Sequence, residues 1–353
     1  MLRVQKLREV MKKCNIDSML ITSSSNLRYM TNFTGTAGIA LISLNEAKFI
    51  TDFRYTEQAK EQAKGYDIVE HKGKIIEEIA KQAEKMKINQ LGFEEDHVTY
   101  STYQTYKKEI PAQLIPVSGI IEELRLIKDN TEIQIVKEAA EIADAAFEHI
   151  ITYIKPGMRE REISDELEFF MRKKGATSSS FDTIVASGYR SALPHGVASD
   201  KVIEEGDFVT LDYGAYYKGY CSDTTRTIAV GEPSDQLKEI YAIVLEAQRL
   251  GVEGIKPGMS GKEADALTRN YIKDKGYGDY FGHSTGHGIG LDIHEGPTLS
   301  VNSETILKPG MIVTVEPGIY LSGIGGVRIE DDILITETGN KRLTKATKEL
   351  IIL

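Results

Sequence analysis

The chain is short of the groups that several function classes require. Its 353 residues include two cysteines, Cys14 and Cys221, far apart and outside any CxxC pattern. Neither a disulfide framework nor a thiolate zinc site can be built from them, and a reducing, cytoplasmic setting is the expectation. Tryptophan is absent, proline numbers nine, and no low-complexity tract occurs, so collagen-like and Pro-rich architectures are excluded. No apolar run approaches the roughly 18 residues of a membrane-spanning helix, and the N-terminus lacks the apolar core of a signal peptide. Positive charge is outweighed: 43 Lys and Arg stand against 53 Asp and Glu, a formal charge of -10. Such a balance gives no basic field for nucleic acid or anionic lipid, so neither is expected as a partner.

What is present is 41% hydrophobic and 27% charged residues, an ordinary globular composition long enough for about two domains. Leu2, Val4, Leu7, Val10 and Met11 have the spacing of an amphipathic helix. Up to about residue 125, helical and strand patterns alternate: DSMLIT and GIALISL read as buried strands, TDFRYTEQAKEQAK as a strand end entering a helix, and IIEEIAKQAEKMK as a helix. The sequon at Asn32 reads as a loop or turn. An α/β domain over 1–125 follows, then a second domain over 126–353. The second opens with a helix capped by Asn130 or Thr131, with Gln134 in capping-box position, running to about Tyr153 before Lys155-Pro156-Gly157 stops it.

The second domain repeats itself. IKPGM at 154–158 returns at 255–259, KKG at 173–175 returns as DKG at 274–276, and EEGDFVTLDYG at 204–214 is echoed by LKPGMIVTVEPG at 307–318. Three matches in order indicate two helix, helix, strand halves packed about a pseudo-twofold axis, too long for a solenoid repeat. The echo pairs Asp212 with Glu316, each ending an apolar strand-like run before a glycine-containing break. A lone acid there is commonly a cap, but two at matched positions suggest a shared site, because a buried carboxylate must be paired, hydrogen-bonded or on a metal.

Further acids lie nearby. If FVTLDYGAYYKGYCSDTTRTIAV folds as a hairpin about residues 217–219, Asp212 and Asp223 fall opposite each other, and like charges so close need a cation between them. In GGVRIEDDILIT, read as one strand, Arg328, Glu330 and Asp332 share a face, with Arg328 available to orient Glu330. Three of the chain's seven histidines, His283, His287 and His294, crowd into GHSTGHGIGLDIHE, which has too many glycines for a helix and reads as a strand or loop beside a site. Asp, Asp, His, Glu and Glu form an oxygen-rich set with one nitrogen, suited to two manganese, cobalt or zinc ions. Gly282 to Gly286 also spells GxSxG, but the required strand before and helix after are missing from the pattern, which argues against a serine hydrolase.

Together FDTIVASGYRSALPHGVASDKVIEEGDFVTLDYG, GYCSDTTRTI, GHSTGHGIGLDIHE, TVEPGIY and GGVRIEDD resemble the pita-bread metallopeptidases, specifically the proline-specific branch of Xaa-Pro dipeptidase and Xaa-Pro aminopeptidase. The resemblance implies an α+β architecture: a C-terminal pita-bread domain with duplicated halves, preceded by a smaller α/β domain. It implies that Asp212, Asp223, His287, Glu316 and Glu330 hold two divalent ions, most suitably Mn2+, with Asp223 and Glu330 bridging. It further implies attack by a metal-bridging hydroxide on the carbonyl before proline, with Glu316 shuttling the proton. His195 and His294 would bind substrate and stabilise the oxyanion, while His283 and Arg328 line the substrate site. A homodimer cleaving Xaa-Pro dipeptides is the implied state, with an aminopeptidase acting on longer Xaa-Pro peptides as the alternative. A non-catalytic binding module of the same fold would be expected to have lost ligands, and all five are present.

Overall fold

The structure is a computed structural model describing residues 2–353. The chain divides into two compact units, 1–125 and 126–353.

The first unit is built on a six-stranded mixed sheet. Its spatial order is Asp67–Glu70, Ala47–Thr51, Ile39–Ser43, Ser18–Ile21, Gln90–Glu94 and Gln113–Val117. The first strand is parallel to its neighbour, the middle pairs are antiparallel, and Ser18–Ile21, Gln90–Glu94 and Gln113–Val117 run parallel. The strands Ser18–Ile21 and Ile39–Ser43 are buried throughout, as expected of apolar runs covered on both faces. Leu20, Leu41, Ile50 and Leu91 pack with Ile79 and Ala83 of the Ile75–Lys85 helix. The helix Leu2–Lys13 buries Val4, Leu7 and Met11 and leaves Leu2 exposed. Asn32 ends the Ser24–Thr31 helix with a positive φ of 60°, the turn read at the sequon.

The second unit is duplicated, as expected. Helices Asn130–Tyr153 and Glu160–Lys173 in one half correspond to Asp235–Gly254 and Gly261–Asp274 in the other. The IKPGM segments adopt the same turn twice: Gly157 and Gly258 have φ of 90° and 89°, and their amides donate to Ile203 O (2.8 Å) and Leu307 O (2.9 Å). Side chains could not adopt that φ without strain, which is why glycine recurs there. The first helix begins one residue earlier than expected. Asp129, not Asn130 or Thr131, is the cap, and Glu132 rather than Gln134 completes the capping box. The Asp129 carboxylate accepts from the amides of Thr131 and Glu132, so the better acceptor in the run DNT wins.

Each half contributes a sheet whose strands end at the same place. One holds Ile184–Ser187, Asp207–Tyr213 and Thr224–Val230; the other includes Gly286–Gly288, Ile312–Val315 and Asp331–Ile335. Leu211 pairs with Arg226 in the first and Val315 with Asp331 in the second, so Arg226 and Asp331 are equivalent positions. These two side chains meet in a fully buried ion pair at 2.8 Å, which locks one half to the other along the pseudo-twofold axis. The acids of interest lie one residue along from that lock.

Candidate metal centre

Asp212 sits near the end of the strand Asp207–Tyr213, and Glu316 immediately follows Ile312–Val315, the matching strand of the other half. The hairpin that follows Asp212 turns at Lys218-Gly219, whose φ values are 48° and 88°. That centre places Thr225, not Asp223, opposite Asp212. Asp223 lies two residues off, in the break between Tyr220–Cys221 and Thr224–Val230, on the same face and diagonal to Asp212. The expected direct opposition is therefore corrected to a diagonal one, and the residue opposite Asp212 is Thr225. Thr225 Oγ1 donates to Glu330 Oε2 at 2.6 Å.

The segment read as one strand is two, Gly325–Arg328 and Asp331–Ile335. Glu330 occupies the break, its amide donating to Thr225 O at 3.1 Å. Arg328 consequently orients a different acid from the one expected. Its guanidinium forms a short ion pair with Asp212, and donates to Thr225 Oγ1 (3.1 Å), Tyr320 Oη (2.9 Å) and Pro194 O (3.2 Å). Asp332 is also turned to a supporting task, accepting the Asp223 amide at 3.0 Å.

His287 lies in the short strand Gly286–Gly288, and His283 and His294 flank it in loops. Among the described residues no helix follows Ser284, so the GxSxG segment is not a nucleophile elbow. Gly286 is required where it stands: a Cβ there would lie 2.0 Å from Thr314 O. The His287 amide donates to Thr314 Oγ1 (3.0 Å), which donates in turn to Glu316 Oε1 (3.0 Å). Behind this strand the Asp265–Arg269 pair of the Gly261–Asp274 helix grips the loop. Asp265 accepts from Thr285, while Arg269 donates to the carbonyls of Phe281 and His283.

His195, Asp212, Asp223, His283, His287, His294, Glu316, Arg328 and Glu330 all line one cavity of about 640 Å3. Asp223, His287 and Glu330 each bring a ligand-type atom within 4.8 Å of the others. His287 Nε2 stands 3.3 Å from Glu316 Oε1 and 3.7 Å from Asp223 Oδ2.

Three features of this cluster fit a divalent cation. His287 Nδ1 lies 3.0 Å from Gly288 O, which assigns its proton there and leaves the Nε2 lone pair aimed at carboxylate oxygens. Once those carboxyls ionise, the lone pair faces negative charge and is repelled unless a cation lies between them. Next, Asp223 Oδ1 and Glu330 Oε1 are buried and, among the described residues, have no hydrogen-bond partner. Finally, burial and mutual repulsion push Asp223 and Glu330 well above the usual carboxylate range, and burial pushes Glu316 up to about 7. Burial lowers the His287 and His294 imidazoles and takes His283 down to about 4, keeping them neutral and able to act as ligands or donors.

His283 is fully engaged: Nδ1 lies 2.9 Å from Ser284 O and Nε2 accepts from Tyr320 Oη at 2.7 Å. Sequence reasoning does not single out Tyr320. The available signal is the short hairpin Gly318–Leu321 with Gly325–Arg328, in which Gly318 pairs with Arg328 and places Tyr320 diagonal to it. Thr225 and Thr314 escape it too, and so does the supporting task of Asp332, because a threonine or second acid in a strand carries no motif.

Among known proteins, residues 134–337 match metallopeptidase family M24 and residues 3–127 match the creatinase/prolidase N-terminal domain. A solved Xaa-Pro dipeptidase from Bacillus anthracis is 67% identical, with a TM-score of 0.99 over 99% of both chains. The curated Xaa-Pro dipeptidase of Pyrococcus horikoshii is 47% identical over 99% of this chain and 98% of its own. The X-Pro aminopeptidase structure from Thermotoga maritima is 43% identical, with a TM-score of 0.91 over 96% of this chain and 98% of its own. With a buried cation-demanding acid cluster between duplicated halves, and family matches covering both units, this chain belongs to the M24 metallopeptidases and is a pita-bread enzyme.

Proposed function

We propose that the enzyme hydrolyses the Xaa-Pro bond of dipeptides, using two divalent ions held by Asp212, Asp223, His287, Glu316 and Glu330. The observation that carries the reading is the His287 Nε2 lone pair aimed at Glu316 and Asp223 inside the buried acid cluster. The oxygen-rich donor set with one imidazole suits Mn2+ best, then Co2+ or Zn2+. When bound, such ions polarise a carbonyl and lower the pKa of water, the two tasks amide hydrolysis needs at neutral pH.

The chain's own residues do the rest. Glu316, raised to about 7, is placed to take a proton from the attacking water and return it to the leaving imide nitrogen. His195 and His294 line the same cavity and donate toward the oxygen on which negative charge develops. Arg328 keeps Asp212 aimed at the site, and Tyr320 fixes the His283 ring, so that His283 shapes the substrate wall. Phe181, Ile184, Pro194, Val197 and Ile293 give the cavity an apolar side that matches a pyrrolidine ring.

The aminopeptidase reading is supported by the Thermotoga neighbour named X-Pro aminopeptidase. A homodimer in the cytoplasm, with a short Xaa-Pro peptide as its small partner, completes the proposal. Among the described residues no helix is long and apolar enough to cross a membrane. The test is alanine release by Mn-loaded protein from Ala-Pro against a longer Ala-Pro-Xaa peptide. Faster turnover of the dipeptide supports the proposal, faster turnover of the longer peptide transfers it to the aminopeptidase, and no cleavage with Mn2+, Co2+ or Zn2+ refutes both.

A further inference from the structure

Lys128 and Glu295 form an ion pair outside the acid cluster, Nζ to Oε2 at 3.2 Å, with side chains 1% and 7% exposed. Neither charge is used in the chemistry above. Withdrawing two charges from water is costly even when they meet, so a pair maintained in the wall of a reaction cavity invites a positional explanation.

Glu295 lines the cavity and directly follows His294. Its other oxygen, Oε1, accepts from the Asp292 amide at 3.0 Å, closing a turn over residues 292–295. The turn is entered through Gly290, whose amide donates to Asp292 O at 3.1 Å. A Cβ at Gly290 would stand 2.8 Å from both Glu295 carboxylate oxygens, so backbone and carboxylate are in close approach. His294 rides on this turn, and its ring centroid is 4.4 Å from that of His287. At the other end, the Lys128 amide donates to Gly310 O at 2.9 Å, just before the strand Ile312–Val315 that delivers Glu316. One lysine is thus tied by its backbone to the segment leading to Glu316 and by its ammonium to the turn carrying His294.

We propose that the Lys128–Glu295 pair is a positioning device that holds the His294 ring in register with the acid cluster. This rests on the reading of His294 as a substrate donor. If Lys128 loses its charge, the Glu295 carboxylate stays buried without the ammonium that faces it, and the way to rehydrate it is to turn into the cavity. That movement opens the 292–295 turn and displaces His294. Neutralising both partners removes the cause, because the amide introduced by Glu295→Gln can keep the bond to the Asp292 amide through its side-chain oxygen.

The experiment compares wild type, Lys128→Met, and the double variant K128M/E295Q, each Mn-loaded and checked for metal content. Readouts are kcat and KM on Ala-Pro and, on the same proteins loaded with diamagnetic Zn2+, the 15N resonances of the His294 ring. Displacement of a catalytic group by about an ångström costs on the order of 100-fold in rate. Lys128→Met is therefore expected to lose ~10- to 100-fold in kcat with KM within about twofold, and to shift the His294 resonances. The double variant is expected to return both to near wild type. Rescue is the readout that a merely structural pair would not give. Unchanged kcat and His294 resonances in Lys128→Met, or a double variant as impaired as the single one, overturn the proposal. If Lys128→Met does not fold, the double variant decides alone: wild-type-like His294 resonances support the proposal and displaced ones overturn it. If wild type releases no proline, the peptidase reading fails, whereas the His294 resonances still report on the positioning.

Discussion

The protonation of Glu316 gives a prediction that can be worked from the structure. In an unfolded chain this carboxyl ionises near 4.5; in the metal-free fold it is pushed up to about 7, by burial first and by the Asp212 charge, against the opposing pull of Arg328. Between those two values the folded state holds the proton more tightly than the unfolded state. Metal-free stability from this group is therefore lost as pH rises, fully so above about 7. The rise from 4.5 to about 7 corresponds to roughly 3 kcal/mol. Each kcal/mol moves Tm by about 2–4 °C for a domain of ~150–250 residues, giving roughly 6–12 °C. Glu316→Gln removes the ionisation while keeping the size. His283 opposes the trend at lower pH, since burial depresses its pKa to about 4 and stability from it grows as pH rises toward 6.5. The difference between wild type and Glu316→Gln cancels that contribution. Thermal melts in chelator across pH 5–8 should show the variant melting higher by about that margin at pH 8, with the gap closing toward pH 5. Saturating Mn2+ should reverse the order. A gap that stays constant with pH, or a wild type that gains on the variant as pH rises, refutes the reasoning.

Other outcomes follow from the same geometry. Asp223→Ala should lower bound divalent metal below one ion per chain and cut turnover by about 100-fold or more, read by elemental analysis and proline release. Metal binding should release protons, because burial and neighbouring carboxylates push Asp223 and Glu330 well above the usual carboxylate range; calorimetry in buffers of different ionisation enthalpy measures this, and the apparent affinity should rise with pH. Gly286→Ala places a Cβ 2.0 Å from Thr314 O, so it should lower both Tm and metal affinity. Phe147→Ala, in the core of the first half, should cost about 3–5 kcal/mol in denaturant melts while the metal content of the folded fraction stays unchanged.

The repeat and the chemistry are legible because they leave periodic or compositional marks. The IKPGM turns need a positive φ twice, so glycine recurs at Gly157 and Gly258. Buried strands such as Ile39–Ser43 announce themselves as apolar runs. Register and support are harder to read. A two-residue shift in the pairing turns a direct opposition of Asp212 and Asp223 into a diagonal, because the turn centres between Lys218 and Gly219, one residue beyond the centre that would oppose them. The break at Glu330 carries no glycine or proline signal in VRIEDDILIT; it arises because the Glu330 amide bonds across to Thr225 O in the other half. That contact also sends Arg328 to Asp212 instead of Glu330. Such long-range partners, like the Lys128–Glu295 pair, have no local signature.

Whether this acid cluster holds catalytic cations is the decisive question. Metal-free protein titrated with Mn2+, with bound metal and Ala-Pro hydrolysis followed in the same samples, answers it directly. Two ions per chain, with turnover appearing as they bind and vanishing with chelator, is the predicted result. Cleavage that persists at less than one ion per chain, or two ions bound without any cleavage of Xaa-Pro substrates, contradicts it.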